Sequence, residues 1–102
     1  VKSLNAKTAS AGCIFMTMYL AERHLPGITA EELMVLQEKA INISERFTAD
    51  GKPVRYLRSV FVPSESYCLS LFESENAFLV RDVNEAAQIP FTRIVEAIDF
   101  TP

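Results

Sequence analysis

The sequence predicts an α+β fold, with two helices packed on one face of an antiparallel sheet. Three observations carry this. Two stretches repeat apolar residues at helical spacing. Four shorter stretches are rich in β-branched, aromatic and other apolar residues and are bounded by turn signals. The two kinds follow one another as strand, helix, strand, strand, helix, strand.

The first strand is expected from Ile14 to about Glu22, ended by Leu25-Pro26-Gly27. Thr29 then opens a helix. Thr29-Ala-Glu-Glu32 has the form of a capping box, in which the Thr hydroxyl accepts from the N–H of Glu32 and the Glu32 carboxylate reaches back. Leu33, Leu36, Ala40, Ile43 and Phe47 mark its buried face, and Asp50-Gly51-Lys52-Pro53 stops it. Val54 to Pro63 reads as the second strand and Ser64-Glu65-Ser66 as a turn. Tyr67 to Glu73 returns as its hairpin partner. Ser74 is placed to cap a second helix, about Glu75 to Gln88, with Ala77, Val80, Val83 and Ala87 inward. Pro90 ends that helix, and Thr92 to Phe100 forms the last strand. This order is the split βαβ, ferredoxin-like βαββαβ arrangement of four strands, and right-handed crossovers put both helices on the same face.

A chain of 102 residues makes one domain, expected over residues 14–102 behind a flexible extension at residues 1–13 of small and polar residues. The apolar fraction of 49% and charged fraction of 23% suit a soluble globular protein. Net charge is −3 and no basic block exists, so no nucleic-acid partner is expected. The longest apolar run, Cys13 to Ala21, is too short to span a bilayer, so no membrane is expected either. Ala9-Ser10-Ala11 resembles a signal cleavage site, but the apolar segment follows it instead of preceding it, and the cytoplasm is the expected location. Cys13 and Cys68 form no CxxC pair and suggest no disulfide framework; Cys68 reads as a small buried hydrophobe.

A half-solvated sheet alternates apolar and polar residues. The first strand does not, since Met16, Met18 and Leu20 point one way while Phe15, Tyr19 and Ala21 point the other. The third strand sets Leu69 and Leu71 against Cys68 and Phe72. A sheet apolar on both faces needs cover on both, and the simplest cover for the bare face is a second copy, making a homodimer.

Polar residues within the strands supply the candidate site. Glu22 shares a face with Met18 and Leu20, and Glu73 shares one with Leu69 and Leu71. Arg58 is placed to meet either carboxylate, and Arg55 and Arg93 are further strand cations. Desolvation of such a Glu raises its pKa toward the duty of a general base. His24, the single histidine, follows the first strand and is the candidate metal ligand; zinc and nickel sites want several nitrogen or sulfur donors. Tyr19, Tyr56, Phe61 and Phe72 are placed to line a ligand cavity. No GxSxG elbow and no Gly-rich phosphate loop appears.

Several stretches together resemble a family of small bacterial proteins of unknown function often labelled nickel-binding. They are Tyr19-Leu-Ala-Glu-Arg-His-Leu-Pro-Gly27 with Thr29-Ala-Glu-Glu-Leu33, then Arg55-Tyr-Leu-Arg-Ser59 with Val62-Pro63, and Cys68-Leu-Ser-Leu-Phe-Glu73. Val80-Arg81, Ala86-Ala-Gln-Ile-Pro90 and Arg93-Ile-Val-Glu96 complete the likeness, which spans about Met16 to Phe100. The resemblance implies a ferredoxin-like fold, a dimeric α+β barrel and a divalent metal such as nickel. Nickel-binding members look to use histidines, some in the second helix, where this chain has Asn84 and no histidine. The positions matched to a site are Glu22, His24, Arg58, Glu73 and Asn84.

Three functions fit these residues. The first is a non-catalytic dimer that binds a small ligand, with Tyr19, Tyr56 and Asn84 as ligand contacts, or a metal at His24. The second is a cofactor-free isomerase or monooxygenase for a small hydrophobic substrate, with Glu22, His24, Arg58 or Glu73 as catalytic candidates. The third is a purely associative module. Deletion of residues 1–12 is expected to leave a folded chain, with its circular-dichroism spectrum and melting transition retained.

Overall fold

The computed structural model describes residues 16–102; the arm expected over residues 1–13 and the first expected strand residues lie outside the described residues. Four strands and two helices follow the expected order. They are β1 (Thr17–His24), α1 (Ala30–Ala49), β2 (Val54–Val62), then β3 (Tyr67–Ser74) after a single 3-10 turn at Pro63–Glu65, α2 (Ala77–Ala86) and β4 (Arg93–Ala97). The sheet runs β2-β3-β1-β4, and every adjacent pair is antiparallel. This is the ferredoxin-like α+β arrangement.

Local chemistry explains the helix ends. Thr29 caps α1 with the full capping box: its hydroxyl accepts from Glu32 N–H at 3.0 Å, and Glu32 accepts from Thr29 N–H at 2.9 Å. The start of α2 differs from the sequence reading. Ser74 is the last residue of β3, paired to both Thr17 and Val54, and its buried hydroxyl donates to the Pro53 carbonyl at 2.8 Å. With Ser74 paired on both sides and its hydroxyl bonded to Pro53, the chain is still extended at Asn76 and the helix begins at Ala77. Asn76 is the N-cap, its Oδ1 accepting from Leu79 N–H at 3.0 Å.

Burial alternates strictly along the two central strands. Tyr19, Ala21 and Arg23 of β1, with Cys68, Ser70, Phe72 and Ser74 of β3, face the helices and are buried. Ala40 of α1 and Val80 and Val83 of α2 close over them, so both helices share that face. The Tyr56 ring meets Phe72 edge-on at 5.4 Å between centroids.

β2 carries a bulge between Tyr56 and Arg58, so Leu57 has no partner on β3. An extra residue reverses the alternation beyond it. Tyr56 and Ser59 therefore both turn toward the helices, opposite Phe72 and Ser70, while Arg55 and Arg58 both turn away, opposite Glu73 and Leu71.

The other face of the sheet has no helix. Met18, Leu20, Leu69, Leu71 and Val95 form half-buried rows there, and Val60 is exposed. Met16 does not continue the row; it lines a groove beside Ile41 and Thr48 of α1. Ion pairs border the open face. Arg55 contacts Glu73 at 2.7 Å, and Arg93 Nε donates to Glu22 at 3.0 Å. Arg58 contacts Asp99 at 3.6 Å. β2 and β4 are opposite edges of the sheet. That last contact therefore requires the segment after Ala97 to leave the β4 edge and cross the open face, so the last strand is shorter than Thr92–Phe100. Ile98 and Phe100 on this segment are exposed.

Two outcomes follow from these contacts. Asn76→Ala should destabilise the fold by about 1 kcal/mol, the usual cost of a lost N-cap, measured by urea denaturation. Arg93 holds the Glu22 carboxyl below its ordinary value, with a smaller contribution from Tyr67, against the opposing effect of burial. A depressed folded-state pKa adds stability that is present above the carboxylate range and disappears as pH falls through it. Glu22→Gln should flatten the acid limb of the stability-against-pH curve and leave its slope above pH ~6 unchanged, as read from melting temperatures across a pH series.

Candidate functional site

Between α1 and the sheet lies a cavity of about 110 Å³. Leu25, Leu36, Ala40, Phe61 and Ile89 give it apolar walls. Leu33 and Met34 also line it, and Met34, 67% exposed, marks the mouth. Its polar lining is Arg23, Gln37, Tyr56, Ser59, Cys68 and Ser70.

Arg23 dominates the electrostatics. It is 3% exposed, because its position shares the two-residue period of Tyr19 and Ala21. Its Nε donates to Ser70 Oγ at 3.1 Å and its Nη1 to the Pro90 carbonyl at 3.2 Å. No carboxylate among the described residues pairs with it. Burial pulls the guanidinium below its ordinary value, yet an arginine stays charged across the physiological range. The cavity thus contains a desolvated cation whose partners are the Ser70 hydroxyl, the Pro90 carbonyl and the Cys68 thiol, with no carboxylate among the described residues.

A row of hydroxyls runs from this cation to the mouth. Ser70 Oγ lies 2.7 Å from Ser59 Oγ, which lies 2.7 Å from Tyr56 OH, and Tyr56 donates to Gln37 Oε1 at 2.7 Å. Each hydroxyl carries one proton. With the Tyr56 proton given to Gln37, Ser59 donates to Tyr56 and Ser70 donates to Ser59, while Ser70 accepts from Arg23. The row is then polarised in one direction, away from the guanidinium. Burial pushes the Tyr56 phenol up, against the hydrogen bond from Ser59. Tyr56 stays a neutral donor at physiological pH.

The residues singled out from sequence are dispersed. Tyr56 lines the cavity, and Tyr19 belongs to the core beside it. Glu22, Arg58 and Glu73 stand on the open face, on the other side of the sheet, each in an ion pair. Glu22 is opposite Leu69 and Glu73 opposite Met18, so the two carboxylates occupy opposite ends of the β1–β3 ladder. Asn84 is fully buried in α2, where its Nδ2 donates to Val80 O at 2.7 Å and its Oδ1 has no partner among the described residues. His24 is exposed at the end of β1 and lines a shallow groove with Pro26, Glu32, Val35 and Pro90. Arg23, Ser59, Ser70 and Gln37 were not anticipated. The alternation that buries Tyr19 and Ala21 was the available signal for Arg23.

A nickel ion wants several nitrogen, sulfur or carboxylate donors converging on one point. Among the described residues no three His, Cys, Asp or Glu side chains gather in this way. His24 and Glu32 border one groove, but two donors do not complete a site within the chain. No helix among the described residues is long and apolar enough to cross a membrane.

Comparison with known proteins agrees with this fold. The crystal structure of SCO4226 from Streptomyces coelicolor A3(2) is similar, with a TM-score of 0.70 at 19% sequence identity, over 82% of this chain and 99% of that one. No curated protein sequence matches the chain. The family described as nickel responsive protein SCO4226-like matches over residues 19–97, from the first core tyrosine to the end of β4, and the chain belongs to that family.

Proposed function

We propose that the chain is a small-molecule-binding protein that works as a homodimer, with one binding site per subunit in the cavity between α1 and the sheet. The observation that supports the site is the buried, unneutralised Arg23 at the head of the Ser70–Ser59–Tyr56 row. Binding sites of this kind combine mostly apolar walls with a few converging polar groups. The lining contains no Asp, Glu or His. It therefore offers donors and shape but no carboxylate or imidazole to serve as a general base, which favours binding over proton-transfer chemistry. The second copy is argued from the open face. Oily rows on β1, β3 and β4, with exposed Val60, Ile98 and Phe100 beside them, form a surface that suits self-pairing about a two-fold axis. The family's nickel label applies to the family; the donor set described above gives no single-chain nickel site on which to build a step.

Two measurements test this reading. Sedimentation at micromolar concentration should show a dimer, and Val60→Glu should convert it to a monomer; a native chain that sediments as a monomer removes the assembly. A screen of small metabolites by amide chemical shifts should find compounds that move Arg23, Ser59 and Ser70 together. If nickel alone perturbs the protein, with shifts confined to His24 and Glu32 and no compound entering the cavity, the binding site is overturned.

A further inference from the structure

Resting on the cavity as the binding site, we infer that its ligand is a short-chain monocarboxylate, held with its carboxylate on Arg23 and its hydrocarbon tail toward Leu33 and Met34. The argument starts from donors. A guanidinium has five N–H groups in a planar fork, and Arg23 commits Nε–H and one on Nη1 to Ser70 and Pro90. The other N–H groups meet no oxygen among the described residues and have only the Cys68 thiol, a weak acceptor, beside them. The neighbouring hydroxyl protons are all spent along the row toward Gln37. Any oxygen entering the cavity head thus meets guanidinium donors and no free hydroxyl donor. A planar anion matches that fork best.

Charge and size narrow the class. One cation is present and no second lines the cavity, so a monoanion neutralises it while a phosphate dianion would leave excess charge against apolar walls. A dry cavity of about 150 Å³ admits benzene. At about 110 Å³, this one accommodates an acid of about two to four carbons, with any longer tail leaving past Met34. Leu25, Leu36, Ala40, Phe61 and Ile89 offer that tail an apolar lining and no hydrogen-bonding side chain.

The experiment compares propionate and butyrate with propionamide and butyramide, which keep the shape and lose the charge, and with inorganic phosphate. Each is titrated into the full chain while amide and arginine Nε–Hε resonances are followed by NMR. Propionate or butyrate should shift the Arg23 Nε–Hε signal and bind about 10- to 100-fold more tightly than the amide, the range expected for a charge-assisted hydrogen bond. Arg23→Met should abolish that preference while leaving the weak amide binding in place. The Arg23 signal of the native chain keeps the test decisive if the variant fails to fold. Equal binding of acid and amide, or preferential binding of phosphate, overturns the ligand class while the cavity stands. If no compound moves Arg23, Ser59 or Ser70, the cavity itself fails as a site.

Discussion

The register of β1 determines which of three consecutive polar residues, Glu22, Arg23 and His24, enters the interior. β1 is a central strand, bonded to β3 on one side and β4 on the other, with Leu20 opposite both Leu71 and Val95. A strand shifted by one residue sends every side chain to the other face. Here the shift would put Met18, Leu20 and Glu22 under the helices and expel Tyr19, Ala21 and Arg23. Ala21 is wholly buried beneath the helix layer and Tyr19 sits in the same core, so both specify the observed register. Arg23 is carried inside by the packing of its neighbours, two and four residues earlier. Its burial is a consequence of core formation at Tyr19 and Ala21, not of any attraction for the guanidinium itself.

That burial is unfavourable taken alone. A desolvated charge without a counter-ion costs several kcal/mol even after relaxation, roughly as much as many whole-side-chain deletions. One serine and one carbonyl offset part of it. An apolar side chain of similar volume would avoid that desolvation, and replacing buried ionic groups in this way is often neutral or stabilising. Stability is therefore not the reason for Arg23, and residues that reduce stability concentrate where a site needs them. The β2 bulge points to the same place. Were Leu57 paired in a regular ladder instead of bulged out, Arg58 would fall opposite Ser70 on the face of Tyr56, bringing a second cation to the side of the sheet that holds Arg23. With the bulge, Arg58 turns out to Asp99 and Ser59 takes the inward position, 2.7 Å from both Ser70 and Tyr56.

The fold was legible because its signals are local. The Thr29-to-Glu32 capping box, the 3-4 spacing from Leu36 to Phe47 and the two-residue alternation of Tyr67 to Phe72 each act within a few residues, and the structure retains all three. Ser74 and Asn76 show where such reasoning stops. Both are good N-cap residues, and the choice between them depends on pairing of Ser74 with Thr17 and Val54, which are far away in sequence. The bulge at Leu57 is similar, since no glycine or proline marks it and only the partner strand reveals the extra residue. The site was the least legible part. Carboxylates and the lone histidine draw attention in a sequence, while Ser59, Ser70 and Gln37 acquire meaning only when a cation lies beside them. The clue to Arg23 was its parity with Tyr19 and Ala21, masked by the polar residues on either side.

The two faces of the sheet divide the work between them. The inner face, with α1, builds the cavity, and its mouth opens at Met34 on the helix side. The bare face carries the oily rows, the bordering ion pairs and the crossing segment that brings Asp99 to Arg58. A subunit seated on the bare face therefore leaves the mouth uncovered, and the proposed assembly and the proposed binding do not compete for surface. They do share backbone. Glu22 and Arg23 are consecutive, as are Arg55 and Tyr56 and Arg58 and Ser59, so these three outward ion-pair residues are each joined by one peptide bond to an inward residue of the cavity. Strand segments carrying both duties can tolerate little change of register, because a slip that relieved one face would dismantle the other.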